Sequence, residues 1–370
     1  GNLIAHASRD RPANLLDYQP TTDSAVERGT AALSMALAAY SLGKYDSWRR
    51  ADRLPPQRWL PMASVTMRTL GERALSLGSE AKDPVVAAML VLTGTSMPDP
   101  AAESPTGLWN PHATLWQALE TPAATDKMSI SVKGVAALAV LPLHAPSEPM
   151  PREVQRTLRH HANASRGIDQ PDFLTAMPWF GWSQIQLERF KRQYDVDGIF
   201  LGPWRSLNDF DQQFPPRDLP AAIGLRQMRA DLWKHQLTAL DAGEDGQDLV
   251  GGIVFTAGTG TPLPTWQCVR PLAFIATMLG DDRLTEPSER LIETARLLHA
   301  LRFLRQLQAD DSCGWMYPNP EMAIGGIRAS TWDHTMPPDA TSLTLLCVVE
   351  AIQSLERVAA AEAGNQPRAK

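Results

Sequence analysis

The chain has 370 residues, a net charge of −6, 44% apolar and 21% charged residues, close to globular averages, which excludes disordered, collagenous and coiled-coil classes. No run of Lys or Arg exceeds two residues, so nothing marks a face for a nucleic-acid backbone and no nucleic-acid partner is expected. Cys268, Cys313 and Cys347 are too few for a disulfide framework and too widely spaced for a C-x-x-C metal site, and they fit a reducing, cytoplasmic compartment.

Apolar residues recur at three- and four-residue spacing along most of the chain, and alternating β-branched runs are scarce, so the expected class is all-α. In chain order the pattern predicts helices over Ser24–Leu42, Met62–Leu77, Pro84–Leu92, His112–Leu119, Ile130–Leu141, Arg152–Ala164 and Asp172–Arg192. Four more follow over Leu219–Leu240, Thr265–Leu279, Ser288–Leu307 and Asp339–Ala361. Pro84, Pro151, Pro171, Pro264 and Pro287 stand at or just before proposed starts, where a missing N–H costs nothing.

Residues 194–220 hold Gly198, Pro203, Pro215 and Pro216 without a helical period and read as a loop, and 362–370 read as a flexible tail. None of the apolar runs reaches the roughly 20 residues that a bilayer-spanning helix needs, so only peripheral membrane contact stays open. The chain opens Gly1-Asn2 without Met, which leaves removal of a targeting segment, and export, open.

A repeat emerges when the later helices are aligned. Trp233 to Leu240 lead to Gly251-Gly252-Ile253 and a helix opening at Pro264-Thr265-Trp266, while Phe303 to Gln308 lead to Gly314-Trp315, Gly325-Gly326-Ile327 and a helix opening at Pro338-Asp339. The Gly-Gly-Ile triplets are 74 residues apart (251 to 325). Gln308 at a helix end is placed to bond orphan backbone groups, Trp315 to stack over the turn, and Gly-Gly to let the backbone pass close to its neighbour. Pro178-Trp179-Phe180-Gly181-Trp182 is the clearest early relative.

Phe303, Leu304, Gln308, Gly314 and Trp315 resemble the repeat of the terpene cyclase and protein prenyltransferase superfamily, with Trp315 following the glycine directly rather than after one residue. The resemblance, carried by about the last 200 residues, implies a single α/α toroid over residues 1–370: a barrel of about six helical hairpins with long connecting loops around a central cavity. It further implies an isoprenoid or other apolar small molecule as ligand, bound or cyclised.

Alkene-protonating cyclases of that superfamily use the middle Asp of Asp-x-Asp-Asp. Asp195-Val196-Asp197-Gly198 keeps that position as Asp197 but lacks the last carboxylate, and it reads first as a loop Asp-x-Asp-Gly turn. Asp311-Ser312-Cys313 with His334 resembles the zinc set of the prenyltransferases but lies before the Gly-Trp turn instead of after Gly-Gly, so no metal or cofactor is expected. Asp333-His334 is the acid/base candidate, since a carboxylate beside an imidazole tunes proton transfer near neutral pH.

Trp179, Trp182, Trp266, Trp315 and Trp332 are candidates to line an aromatic cavity, or to be ordinary core, and Arg328 is the candidate for an anionic head group such as diphosphate. Two other readings stay open. One is a carbohydrate-active α/α barrel using Asp333 with Asp197 or Glu321, and the other is a noncatalytic scaffold that binds a protein.

Overall fold

A computed structural model describes residues 17–26, 31–51, 69–74, 76, 83–95, 176–183, 185–186, 222–254, 263–281 and 284–365. Helix makes up 66% of the described chain and strand 5%, so the class is all-α. The chain divides into two compact units. One comprises Gly1–Arg28, Lys44–Leu60 and Arg226–Lys370, the other Gly29–Gly43 and Pro61–Leu225. The predicted helices 112–119, 130–141 and 152–164, and the loop 194–220, lie outside the described residues.

In the second unit the described residues include the first part of helix α1 (Ala31–Ala51), helix α2 (Pro84–Thr95) and a buried segment around 176–183. α2 has Val86 to Leu92 all buried, and its Thr93 hydroxyl returns to the Met89 carbonyl at 2.9 Å. A helix apolar all round belongs in an interior.

The first unit opens with a two-stranded antiparallel hairpin, β1 (Asp17–Gln19) and β2 (Ser24–Val26), turned through Asp23 at φ +48°. This corrects the expected helix start at Ser24, because α1 begins only at Ala31. The hairpin finds its partner in the fold: Tyr18 and Met336 exchange backbone hydrogen bonds at 3.1 and 2.7 Å, and the Tyr18 ring is buried with Ala309, Tyr317, Met322, Ala323 and Met336. Local period alone does not reveal a strand whose pairing lies 300 residues away.

Helix α3 (Ala222–Trp233) ends before the predicted Leu240. The chain pairs Gln236 with Ile253 instead, and Thr238 and Asp241 form a capping box that starts the four-residue helix α4 (Ala239–Ala242). Thr265 caps a single 3₁₀ turn, Trp266–Cys268, which runs into helix α5 (Val269–Leu279). Helix α6 (Arg290–Leu307), a 3₁₀ turn Gly314–Met316, the short helix α7 (Pro320–Ala323) and helix α8 (Pro338–Asn365) complete the unit. α8 thus continues into the residues expected to form a tail.

The repeat seen in the sequence is a repeat of hydrogen bonds. In the first hairpin Leu237 N–H bonds Gly252 O, Gly251 N–H bonds Leu237 O, Val254 N–H bonds His235 O and Gly252 N–H bonds Leu249 O. In the second, Ala309 N–H bonds Gly326 O, Gly325 N–H bonds Ala309 O, Arg328 N–H bonds Leu307 O and Gly326 N–H bonds Ala323 O. Gly251 and Gly325 take φ +95° and +88°, backbone that suits glycine. Beyond the second bridge the Ile327 amide donates to the Thr341 hydroxyl at 3.2 Å.

Composition sorts the helices into two layers. α5 is buried on every side from Pro271 to Leu279, whereas α6 buries only one stripe, Arg290, Glu293, Leu297, Ala300, Phe303, Leu304 and Leu307. α5 and α8 lie side by side and parallel: Thr277 Oγ1 meets Glu350 Oε2 at 3.2 Å, and a Cβ on Gly280 would stand 2.9 Å from Ser354 Cα. α3 and α6 are also parallel, joined by a ladder with every rung 60 residues apart. Its rungs are Arg226 to Glu286 (2.5 Å), Arg229 to Glu289 (2.8 Å), Trp233 to Glu293 (2.6 Å) and Gln236 to the Arg296 carbonyl (2.9 Å). α1 reaches α8 through Lys44–Glu350 at 2.9 Å and Trp48–Glu356 at 3.4 Å.

Candidate functional site

The chemistry-bearing side chains of the first unit gather where α5 and α8 begin, in the turns that the Gly-Gly bridges hold. At the start of α5, Arg270 lies over the Trp266 ring, 5.6 Å from its centroid, and donates from Nε to Gln267 Oε1 at 2.6 Å. Burial pushes the Arg270 guanidinium down from its ordinary range, and the Asp339 carboxylate at the start of α8 opposes that shift. An aromatic face, a desolvated cation and a carboxylate therefore meet at the paired starts of two parallel helices.

The second group belongs to the turns before α8. Arg328 is spent on structure: its Nε donates to the Leu307 carbonyl at 3.3 Å and its Nη2 to the Gln306 carbonyl, so it closes the orphan end of α6. Asp333 is exposed in a tight turn, where its amide donates to the Ser330 hydroxyl oxygen at 2.9 Å and its Oδ1 accepts from the Thr335 amide at 2.9 Å. That is an Asx turn. The neighbouring His334 is half-buried, edge-on to the buried Tyr317 at 6.5 Å, and its Nδ1 is enclosed without a hydrogen-bond partner. Burial first, and Arg328 second, push the His334 imidazole below its ordinary value, with Asp333 opposing.

Tyr317 and Cys313 extend this group; the sequence sets Cys313 beside His334 only through the zinc resemblance and does not bring in Tyr317. Burial raises the Tyr317 phenol, and the neighbouring Cys313 adds to the shift both through its charge and through a side-chain hydrogen bond. The Cys313 thiol also donates to the Asp310 carbonyl at 3.2 Å, while the exposed Asp310 carboxyl is held low by Ser312. Cys313 and Asp311 therefore sit in the turn ahead of Gly314, and among the described residues no three His, Cys, Asp or Glu side chains are grouped as metal ligands. A Cys313–Tyr317 spacing across a 3₁₀ turn is the signal that would have linked them.

The candidate aromatics separate by environment. Trp179 and Trp182 are buried in the second unit, edge-on to each other at 5.3 Å, with Tyr40 beside Trp179 at 6.3 Å. Trp266 is half-buried at the α5 start, but Trp315 and Trp332 are 84% and 54% exposed. Trp315 therefore does not stack over its turn as expected. The clasp foreseen for Gln308 is made by its repeat equivalent, Gln236, which donates to both the Gly251 and Arg296 carbonyls, while Gln308 faces solvent. Asp197 lies outside the described residues. Among the described residues no helix is long and apolar enough to cross a membrane. No protein-family profile, curated protein or solved structure matches the chain.

Proposed function

We propose that the chain is an α/α toroid protein similar to the squalene cyclases and prenyltransferases, which binds an isoprenoid at the end where its inner helices begin. The observation that carries this reading is the pairing of two equivalent helical hairpins, with Trp266, Arg270 and Asp339 together at the parallel starts of α5 and α8. An indole face suits a polyprenyl chain, and the adjacent guanidinium suits an oxygenated or anionic terminus.

The reading stops at binding. Asp333 accepts a backbone amide in its own turn, which supports a structural part for that carboxylate, and the enclosed Nδ1 of His334 makes no hydrogen bond with it or any other side chain.

Native mass spectrometry of the full chain, incubated separately with squalene, farnesyl diphosphate and a cello-oligosaccharide, tests the proposal. One isoprenoid adduct is expected, weakened about tenfold by Trp266→Ala, roughly the 1.4 kcal/mol of one stacking contact. An adduct with the oligosaccharide alone, or none with any ligand, overturns it.

A further inference from the structure

The α3–α6 ladder defines what an outer helix of this repeat does with its two sides. α3 and Gln236 just past it offer Arg226, Arg229, Trp233 and Gln236 to α6 and the turn that leads into it, which answer with Glu286 and Glu289 from the turn and Glu293 and the Arg296 carbonyl from the helix. The bridge residues Gln236 and Gln308 are equivalent, so the same edge carried onto α6 is Leu298, Leu301, Arg305 and Gln308. At 3.6 residues per turn this edge lies on the opposite side of α6 from Glu289, Glu293 and Arg296.

On α6 that edge is open to solvent, and among the described residues no hydrogen bond or ion pair reaches it from another helix. Leu298 is 51% exposed and Leu291, two turns earlier on the same stripe, is 82% exposed, with Arg302, Arg305 and Gln308 exposed beyond them. Residues 294–309 contain Arg296, Arg302, Arg305 and His299 and no Asp or Glu; the exposed Asp310 that follows shares the Arg305 charge and leaves Arg302 the more available of the two. A second α6 packed here would bring like charges together, whereas the segment on the equivalent edge of α3 brings Glu286 and Glu289 from the turn before α6 and Glu293 from its first turn.

We propose that the outer edge of α6 is a docking site for an acidic amphipathic helix of a partner protein, which seats its apolar stripe on Leu291 and Leu298 and its carboxylates on Arg302 and Arg305. The helix lies as α6 itself lies on α3. Leucine anchors supply the contact area and the arginines select the sign of the partner.

The test uses the full chain and two hydrocarbon-stapled helical peptides of about 18 residues, long enough to hold a helix. Both have the same Leu spacing, and their flanks carry Glu in one and Lys in the other. Fluorescence polarisation should show saturable binding of the Glu peptide at micromolar concentration, weakened about tenfold or more by Leu298→Asp and by Arg305→Glu. Leu291→Ser, at a still more exposed position, gives the same loss without touching the fold, and each variant should keep the wild-type thermal melt by circular dichroism.

Equal affinity for both peptides overturns the proposal, as does binding that survives these substitutions or no binding by the Glu peptide. Two other occupants are read in parallel. Sedimentation of the chain with phosphatidylserine vesicles, or a dimer in analytical ultracentrifugation, lost in either case with Leu298→Asp, would assign the edge to a lipid surface or to a second copy and so overturn it.

Discussion

Two influences, burial and the Arg328 guanidinium, push the His334 imidazole below its ordinary value, and the Asp333 carboxylate opposes them in part. Its folded pKa lies below the unfolded value of about 6.5. The unfolded chain therefore binds the proton more readily, and the contribution of His334 to stability is complete above pH 6.5 and lost as pH falls below it. Urea titrations between pH 5 and 8 should show stability declining below about 6.5, and His334→Gln should flatten that part of the profile; an unchanged profile would place the imidazole in ordinary solvent. At this scale the sequence made the Asp333-His334 pair visible but not its division of labour. Hydrogen bonds to the Ser330 hydroxyl and from the Thr335 amide fix Asp333 in a turn, and packing against Tyr317 encloses His334. Neither follows from spacing.

At the scale of elements, the Gly-Gly bridge is the strongest prediction that the sequence supports, and its first glycine bears two constraints at once. Gly251 holds φ +95°, and a Cβ there would stand 2.2 Å from the His299 carbonyl oxygen of α6. Gly243, at φ +66°, has nothing within 4 Å of such a Cβ. Gly251→Ala should therefore lower unfolding free energy by about 3 kcal/mol and Gly243→Ala by about 1 kcal/mol, measured by urea denaturation, because only the first adds a backbone clash to the strain. Similar losses at the two positions would count against the tight passage of the bridge beneath α6. Helix existence was legible here, since α5, α6 and α8 all follow from their apolar period. Helix ends were less so. α3 stops at Trp233 although Leu237 and Leu240 continue its pattern, because the amide and carbonyl of Leu237 both pair with the Gly-Gly bridge. Gln236 and Gln308 occupy equivalent positions, yet only the one with a following helix makes the clasp, a difference that no local motif encodes.

At the scale of the molecule, the first unit gathers residues from both ends of the chain. Tyr18 joins β1 to the turn before α8, and its ring is 3% exposed beside Met336 and Tyr317. Tyr18→Ala should leave α5 and α8 protected while raising amide hydrogen exchange in residues 328–336 by about tenfold or more, since it removes the packing that holds the paired strand in place. Exchange that rises equally across α8 would mean that the hairpin supports the whole unit instead. Tyr18 was beyond sequence reasoning for a simple reason: its partner is non-local, and a three-residue strand carries too short an alternation to be seen alone.

The parallel register of α5 and α8 has one more consequence. Thr277 stands level with Glu350, which puts Cys347 about six residues, or roughly 9 Å, further along the seam than Cys268. Both are fully buried, and burial raises them, Cys268 to about 12. Neither can be alkylated until the seam between the helices opens, whereas the half-buried Cys313 lies outside that seam in a surface turn. The chain thus carries a built-in clock for the breathing of its inner layer, with a fast-reacting reference already in place.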